Sequence, residues 1–452
     1  MIITKTNKIL IFCSFIGLAI LIFKISENFE FSLKTHLQLI SCYILTSICI
    51  IVYCIKLNSF NYLPLLPLTC FYFLTCYISI FFFNYSKYLD YSHFLVIDIP
   101  GAINILFLKI SFFLLGFYIS KKFFQKFNRK GFKFLITNEK ENLIFGIVMI
   151  IGTIIFFYII EIQILFNYLA QIKFPILLLS YGLLTRSLFH QGKMNKVFFC
   201  IISLKLLIIF LEILSGSYAF PFMLIFLDIT YLFYLKKKIN IFPIILITIF
   251  VIFIHLGKNQ FRDFTWNNNP EEQGLFYKMG SLLETYDVIS DKDNSLFNKT
   301  NITRTLKRVF HSFESLVVVT KKSPNEIPFW DGYSYQILIS KIVPRIFWRD
   351  KPSDTIGNEF GHRYQILTNN EDYKDTSTSW NMPVLNEFYV NFGKKGVILG
   401  MFLLGVLFNL ITIFFSIPNL KNIEHTINYY LFIPVFFMES HLSLLFGALL
   451  QS

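Results

Sequence analysis

Charge is scarce in this chain: Asp, Glu, Lys and Arg make up 15% of its 452 residues, against 55% hydrophobic residues. That balance excludes a water-soluble core, because apolar runs long enough to cross a bilayer recur along most of the sequence. Cysteine is sparse too. All seven (Cys13, Cys42, Cys49, Cys54, Cys70, Cys76 and Cys200) lie in apolar runs, so the polar part of the chain has no disulfide framework and the thiols read as small packing residues. No small-residue cleavage pattern follows the first apolar run, which ends at Phe23 and Lys24, and an uncleaved first helix is expected. His and Cys nowhere cluster at ligand spacing in the polar segment, so neither a metal nor another cofactor is expected. Internal repeats are lacking as well, which weighs against a transporter built from duplicated bundles.

What is present is a succession of apolar runs of roughly 16 to 24 residues, each long enough to span a bilayer. They predict an all-α polytopic membrane protein with about eleven spans. The spans are Ile9 to Phe23, Leu37 to Ile55, Tyr62 to Phe83, Gly101 to Ser120, Asn142 to Ile160 and Phe174 to Phe189. Val197 to Leu214, Phe220 to Leu235, Ile239 to Leu256, Gly396 to Phe415 and Ile427 to Leu449 complete the set. Phe contributes 56 residues, a compositional bias of the helices that carries no function.

The net charge of +13 needs no nucleic acid to explain it, because Lys and Arg collect in cytoplasmic loops. With the N-terminus inside, Lys5, Lys8, Lys56, the cluster from Lys121 to Lys133, Lys193, Lys196 and Lys236 to Lys238 all fall on one side. The expected location is a bacterial cytoplasmic membrane, with helices 1 to 9 in residues 1–256, a large extracytoplasmic region in 257–395, and helices 10 and 11 in 396–452. That region holds all four tryptophans. Its length exceeds what a mere connector needs, so the chemistry is sought there.

Two ionisable residues stand inside apolar runs on either side of the turn at Ser217. Lys205 precedes it by about twelve residues and Asp228 follows by about eleven, so an antiparallel hairpin rising 1.5 Å per residue brings them to one depth. Each charge alone costs roughly 2.5 to 3.5 kcal/mol at the bilayer centre. Either the two pair, or Lys205 snorkels and Asp228 faces a hydrated cavity. Arg186, Glu212, Glu439 and His441 lie nearer span ends, where interfacial water makes a positional role the simpler reading. Lys109 is deeper and stays a secondary candidate.

In the polar segment, Ile302, Leu306, Val309, Phe310, Phe313, Leu316 and Val317 recur at helical spacing, with Arg304, Lys307, Arg308, His311 and Glu314 between them. This predicts an amphipathic helix, lying on the membrane surface, capping the bundle or contributing to a site. Further on, Arg345, Arg349 and Lys351 cluster around Pro344 and Pro352, which stiffen the backbone and so fix the cations. Guanidinium forks bind phosphate oxygens, and Trp330, Tyr333, Trp348, Tyr364 and Trp380 offer flat faces for sugar rings.

At these residues the sequence resembles the Wzy family of O-antigen and capsule repeat-unit polymerases. The Gly-x-Ser-Tyr element stands at Gly332 to Tyr335, Pro-Arg-x-x-Trp at Pro344 to Trp348, and Lys-Pro at Lys351 and Pro352. A later element, an acid followed by Tyr, Asn-Phe-Gly and Gly, matches Glu387, Tyr389, Asn391, Phe392, Gly393 and Gly396. The match covers about a fifth of the chain. Ser215, Gly216 and Ser217 resemble the family's Gly-Ser-Arg corner, but Tyr218 stands in place of its arginine.

The resemblance implies a GT-C-like architecture and transfer of a growing glycan from its polyprenyl pyrophosphate onto the next lipid-linked unit. Its partners are then lipid-linked oligosaccharide, membrane lipids and a chain-length regulator. Cations that stabilise the leaving pyrophosphate would be Arg308, Arg345, Lys351 and Arg262, with Tyr335 and Trp348 contributing to substrate binding. Glu387, followed by Asp331 and His311, is the candidate base for the acceptor hydroxyl, or else Glu387 only orients Arg345. An O-antigen ligase would share every feature but the acceptor. A lipid-linked oligosaccharide flippase would need charges lining a central cavity.

Overall fold

The computed structural model describes residues 5–28, 31–55, 63–83, 98–124, 139–159, 163–191, 196–214, 219–236, 261, 275–290, 299–342, 348, 355–367, 380–416 and 423–445. Every regular element among them is helical, as expected where no water is at hand to satisfy an unpaired backbone group. In chain order the helices are α1 (Lys5–Asn28), α2 (Leu33–Ile55), α3 (Leu65–Phe82), α4 (Ile99–Phe124), α5 (Glu139–Ile154), α6 (Gln163–Gln191) and α7 (Lys196–Leu214). They continue with α8 (Ala219–Lys236), α9 (Leu275–Ser290), α10 (Lys299–Lys322), α11 (Gln336–Ile342), α12 (Ile356–Arg363), α13 (Val384–Phe415) and α14 (Ile423–Phe432).

Among the described residues, six helices are long and apolar enough to cross a membrane: α2, α3, α4, Lys140–Tyr158 at α5, α7 and α13. Shorter apolar helices lie at Ile11–Lys24 and Phe220–Leu235. The protein is a multi-pass membrane protein. Its outward faces carry Phe12, Phe15, Phe123, Val148, Leu206, Leu399 and Leu403 in the open, which is the right surface when the surrounding solvent is hydrocarbon. The apolar run at Ile239 to Leu256 lies outside the described residues.

The chain divides into two compact units. The first comprises Met1–Gly131, Val309–Asn419 and Phe432–Ser452; the second comprises Phe132–Arg308 and Leu420–Leu431. Part of the polar segment, from Val309 onward, belongs to the same unit as the earliest helices.

The first unit is built around α4 and α13. A methyl group at Gly116 would collide with the Phe402 carbonyl oxygen, and one at Gly405 with the Phe113 carbonyl oxygen. The two backbones therefore approach closely, the role small residues play between membrane helices. Phe113 meets Phe408 edge-on at 5.4 Å, and Asn409 Nδ2 donates to Ser120 Oγ at 2.9 Å. Gly405→Ala is expected to destabilise the protein by about 1–3 kcal/mol through overpacking. At Gly152 a methyl would meet nothing within 4 Å, so Gly152→Ala should be neutral or stabilising. Thermal unfolding in detergent compares the two, and equal effects would refute the close approach.

Lys109 of α4 is buried against α3. Its Nζ lies 3.3 Å from the Tyr77 ring centroid and 4.1 Å from that of Phe73, so aromatic faces rather than a snorkelling stem accommodate the ammonium. Tyr77 belongs to a π-helical stretch, Leu74–Ile78.

In the second unit Lys205 Nζ lies 2.6 Å from Asp228 Oδ2, the first of the two arrangements that the hairpin spacing leaves open. Thr185 and Tyr430 donate to Asp228 Oδ1 at 2.7 and 2.5 Å, and Lys205 Nζ lies 4.0 Å from the Tyr181 ring centroid. A second pair joins Lys173 Nζ to Glu212 Oε1 at 3.0 Å, with the Tyr158 hydroxyl donating to the same oxygen.

Three expectations are corrected. The last apolar run is not one helix from Ile427 to Leu449: α14 stops at Phe432, a 3-10 turn covers Ile433–Phe436, and 437–441 are non-helical. Pro434 causes this, having no N–H to give to the carbonyl of Tyr430. Arg186, Glu212, Glu439 and His441 do not sit in interfacial water but are buried in protein. Finally, α10 does not lie on a surface along its length, since every residue from Phe310 to Thr320 is buried. The Leu316 to Val319 run fills the face that an amphipathic helix would keep polar.

Candidate functional site

The Gly-x-Ser-Tyr element and the acid-to-glycine element, more than fifty residues apart in sequence, meet in the first unit. The backbone enters along α13: the Trp330 N–H donates to the Val390 carbonyl at 2.9 Å and the Asp331 N–H to the Asn391 carbonyl at 3.2 Å. Asp331 and Gly332 then turn the chain with φ of 49° and 92°, both in the left-handed region. Glycine adopts it freely and aspartate is among the residues that tolerate it best. A 3-10 turn at Tyr333–Tyr335 leads into α11.

Asn391, fully buried, locks this turn with its whole side chain. Its Oδ1 accepts the Gly332 N–H at 2.9 Å, while Nδ2 donates to Ser334 Oγ and to the Glu387 carbonyl, both at 2.8 Å. Sequence reasoning used Asn391 only as a motif letter. What it missed is that an asparagine amide has one acceptor and two donors, which the turn uses together.

Glu387 occupies the first turn of α13 and is fully buried. Oε1 accepts from Ser334 Oγ at 2.7 Å, and Oε2 from the Leu442 N–H at 2.6 Å. The carboxylate thus ties the turn to the point where the chain resumes helical geometry after the broken last run. Charge-assisted bonds of this kind are the stronger sort.

Beyond Asn391 the helix bends. Phe392 (φ −138°, ψ 19°) and Gly393 (φ 59°, ψ −146°) leave helical geometry inside α13, and a methyl at Gly393 would fall 2.8 Å from Phe329 Cζ. Only glycine suits that backbone. The bend turns Phe392 outward, 46% exposed, beside Gly332.

Asp331 is exposed at the crest of the turn. Tyr335, half-buried, lies 6.1 Å from the Phe392 ring; burial, and next the nearby Glu387 carboxylate, push its phenol well above the usual value, so it stays protonated at physiological pH. Tyr333 is 44% exposed, with its phenol raised by partial burial and then by Glu359. Arg363 stacks on the Trp330 ring at 5.5 Å and donates from Nη2 to the Pro328 carbonyl at 2.7 Å, steadying the approach to the turn.

His311 has partners of its own. It is buried on α10, edge-on to Trp380 at 4.5 Å, with Nε2 3.2 Å from the Asn381 carbonyl oxygen. Arg308 is exposed on α10 in the second unit, and Trp348 is 37% exposed. Of the five aromatic faces read as sugar platforms, Tyr364 is fully buried with its hydroxyl 2.5 Å from Ser323 Oγ, and Trp330 is nearly so. Those two serve packing. Arg262, Arg345, Arg349 and Lys351 lie outside the described residues. No group of His, Cys, Asp and Glu among the described residues has the arrangement to hold a metal ion.

A family model described as a domain of unknown function, DUF8712, matches residues 69–414. The chain belongs to that family. The DUF8712 segment begins inside α3 and ends in α13, so it includes both halves of the turn and the helices that carry them. No curated protein and no solved structure matches the chain.

Proposed function

We propose that the protein polymerises polyprenyl-pyrophosphate-linked oligosaccharide repeat units into a surface polysaccharide, on the outer face of a bacterial cytoplasmic membrane. One observation carries this reading: two of the sequence elements that resemble repeat-unit polymerases are hydrogen-bonded to each other through Asn391, Ser334 and Glu387. Their convergence on one turn supports the reading.

In the proposed reaction the acceptor hydroxyl oxygen attacks the anomeric carbon of the donor glycan. The bond from that carbon to the pyrophosphate oxygen breaks, its electron pair leaves with the pyrophosphate, and the hydroxyl proton passes to a carboxylate. Asp331 is assigned that proton because its side chain is exposed at the crest. Glu387, buried and holding Ser334 and the Leu442 N–H, is assigned to positioning. Arg345 and Lys351 are assigned to the leaving pyrophosphate, whose developing charge cations stabilise.

Glycan chain length on gels, in cells lacking the protein and in cells complemented with intact, Asp331→Asn or Arg345→Ala forms, tests the reading. Single repeat units in the deletion strain, a ladder with the intact form, and loss of at least about a hundredfold of the long chains with Asp331→Asn are expected, the range of general-base contributions. A deletion strain that displays no unit at all would favour a flippase or ligase instead. Full ladders from Asp331→Asn would return the base assignment to Glu387.

A further inference from the structure

The turn presents more than a carboxylate. Tyr333 and Phe392 are large aromatic side chains, 44% and 46% exposed, at the same turn as Asp331: Tyr333 follows Gly332 in the chain, and the Phe392 ring lies close to Gly332. Each is backed by a second ring: Trp330 lies 5.9 Å from Tyr333, and Tyr335 lies 6.1 Å from Phe392. Gly332 leaves the Phe392 ring uncrowded, since a methyl there would approach Phe392 Cζ to 3.3 Å. The arrangement is two supported aromatic faces and an exposed carboxylate on one turn.

We infer that this face is a glycosyl-binding platform that holds the terminal sugar ring of the acceptor against Tyr333 and Phe392, with Asp331 at its hydroxyl edge. The inference rests on the polymerase reading and adds where the acceptor lies. Aromatic faces pack the C–H face of a sugar ring, while a carboxylate accepts from its hydroxyls. A lipid acyl chain would match the rings but would bury the Asp331 carboxylate without a partner, which is costly. A protein partner would need a far larger apolar face than two rings provide.

The test uses the complementation assay in whole cells, with glycan ladders normalised to the amount of inserted protein and with thermal unfolding of each purified variant. Tyr333→Ala and Phe392→Ala are each expected to reduce long chains by about three- to tenfold without lowering the unfolding temperature, because both rings are exposed. Tyr333→Trp, which keeps a flat face, should recover most of the ladder. If deletion collapses the ladder while both alanine variants keep it, the platform is refuted and the polymerase reading stands. If Tyr333→Trp fails as badly as Tyr333→Ala, stacking is refuted. If deletion leaves the ladder intact, the polymerase reading falls and the platform with it.

Discussion

Asn391→Leu is expected to remove several kcal/mol of stability and to abolish long glycan chains. Leucine has nearly the shape of asparagine and none of its hydrogen bonds, so the Gly332 N–H is left without its acceptor and Ser334 Oγ keeps only its bond to Glu387. Each such group left unsatisfied costs about 1–3 kcal/mol, against a total stability on the order of 5–15 kcal/mol for a folded domain. Thermal unfolding in detergent reads the first effect and the ladder reads the second. An unfolding temperature equal to that of the intact protein would mean that the turn holds itself without Asn391.

The second large effect is expected at the ion pair of the other unit. Asp228→Asn leaves the buried Lys205 ammonium without a carboxylate, a loss of about 3–5 kcal/mol where one partner of a buried pair is removed. Thr185 also contacts Lys205, but a hydroxyl does not neutralise a charge. The exchange Lys205→Asp with Asp228→Lys should recover part of the loss and no more, because the Thr185 and Tyr430 hydroxyls that donate to Asp228 would then face a cation. Protein level in the membrane and unfolding temperature measure it. Were the double exchange as damaging as either single change, the pair would not be what holds α7 and α8 in register.

How much of this was legible in the sequence depends on which physics wrote it. The spans at α2, α4 and α7 follow from run length alone, because a bilayer demands about twenty apolar residues. The Lys205–Asp228 pair was legible because a helix has a fixed rise, so residue counts convert to depth. The broken last run was not, because Ile433, Val435, Phe436 and Phe437 are as apolar as any helix; only Pro434 hinted at it. The start of α13 was also hidden, since the polar Asn386, Glu387 and Asn391 read as loop until their hydrogen bonds are seen. Burial separated the carboxylates: Glu387 and Asp331 look equally available as letters, yet one is sealed within the protein and the other meets water. The cations around Pro344 and Pro352 remain a sequence-based assignment.

The bend at Gly393 makes α13 two levers on one pivot. Since glycine alone fits that backbone, the aim of the stretch bearing Glu387 and Asn391 is set at the pivot and not inherited from the membrane-crossing stretch beyond it. Only the outward-facing residues beyond the pivot, such as Leu399 and Leu403, are therefore free to diverge among descendants of this chain to suit different lipids, while Gly405, Phe408 and Asn409 stay tied to α4 and the stretch before the pivot keeps the turn in place.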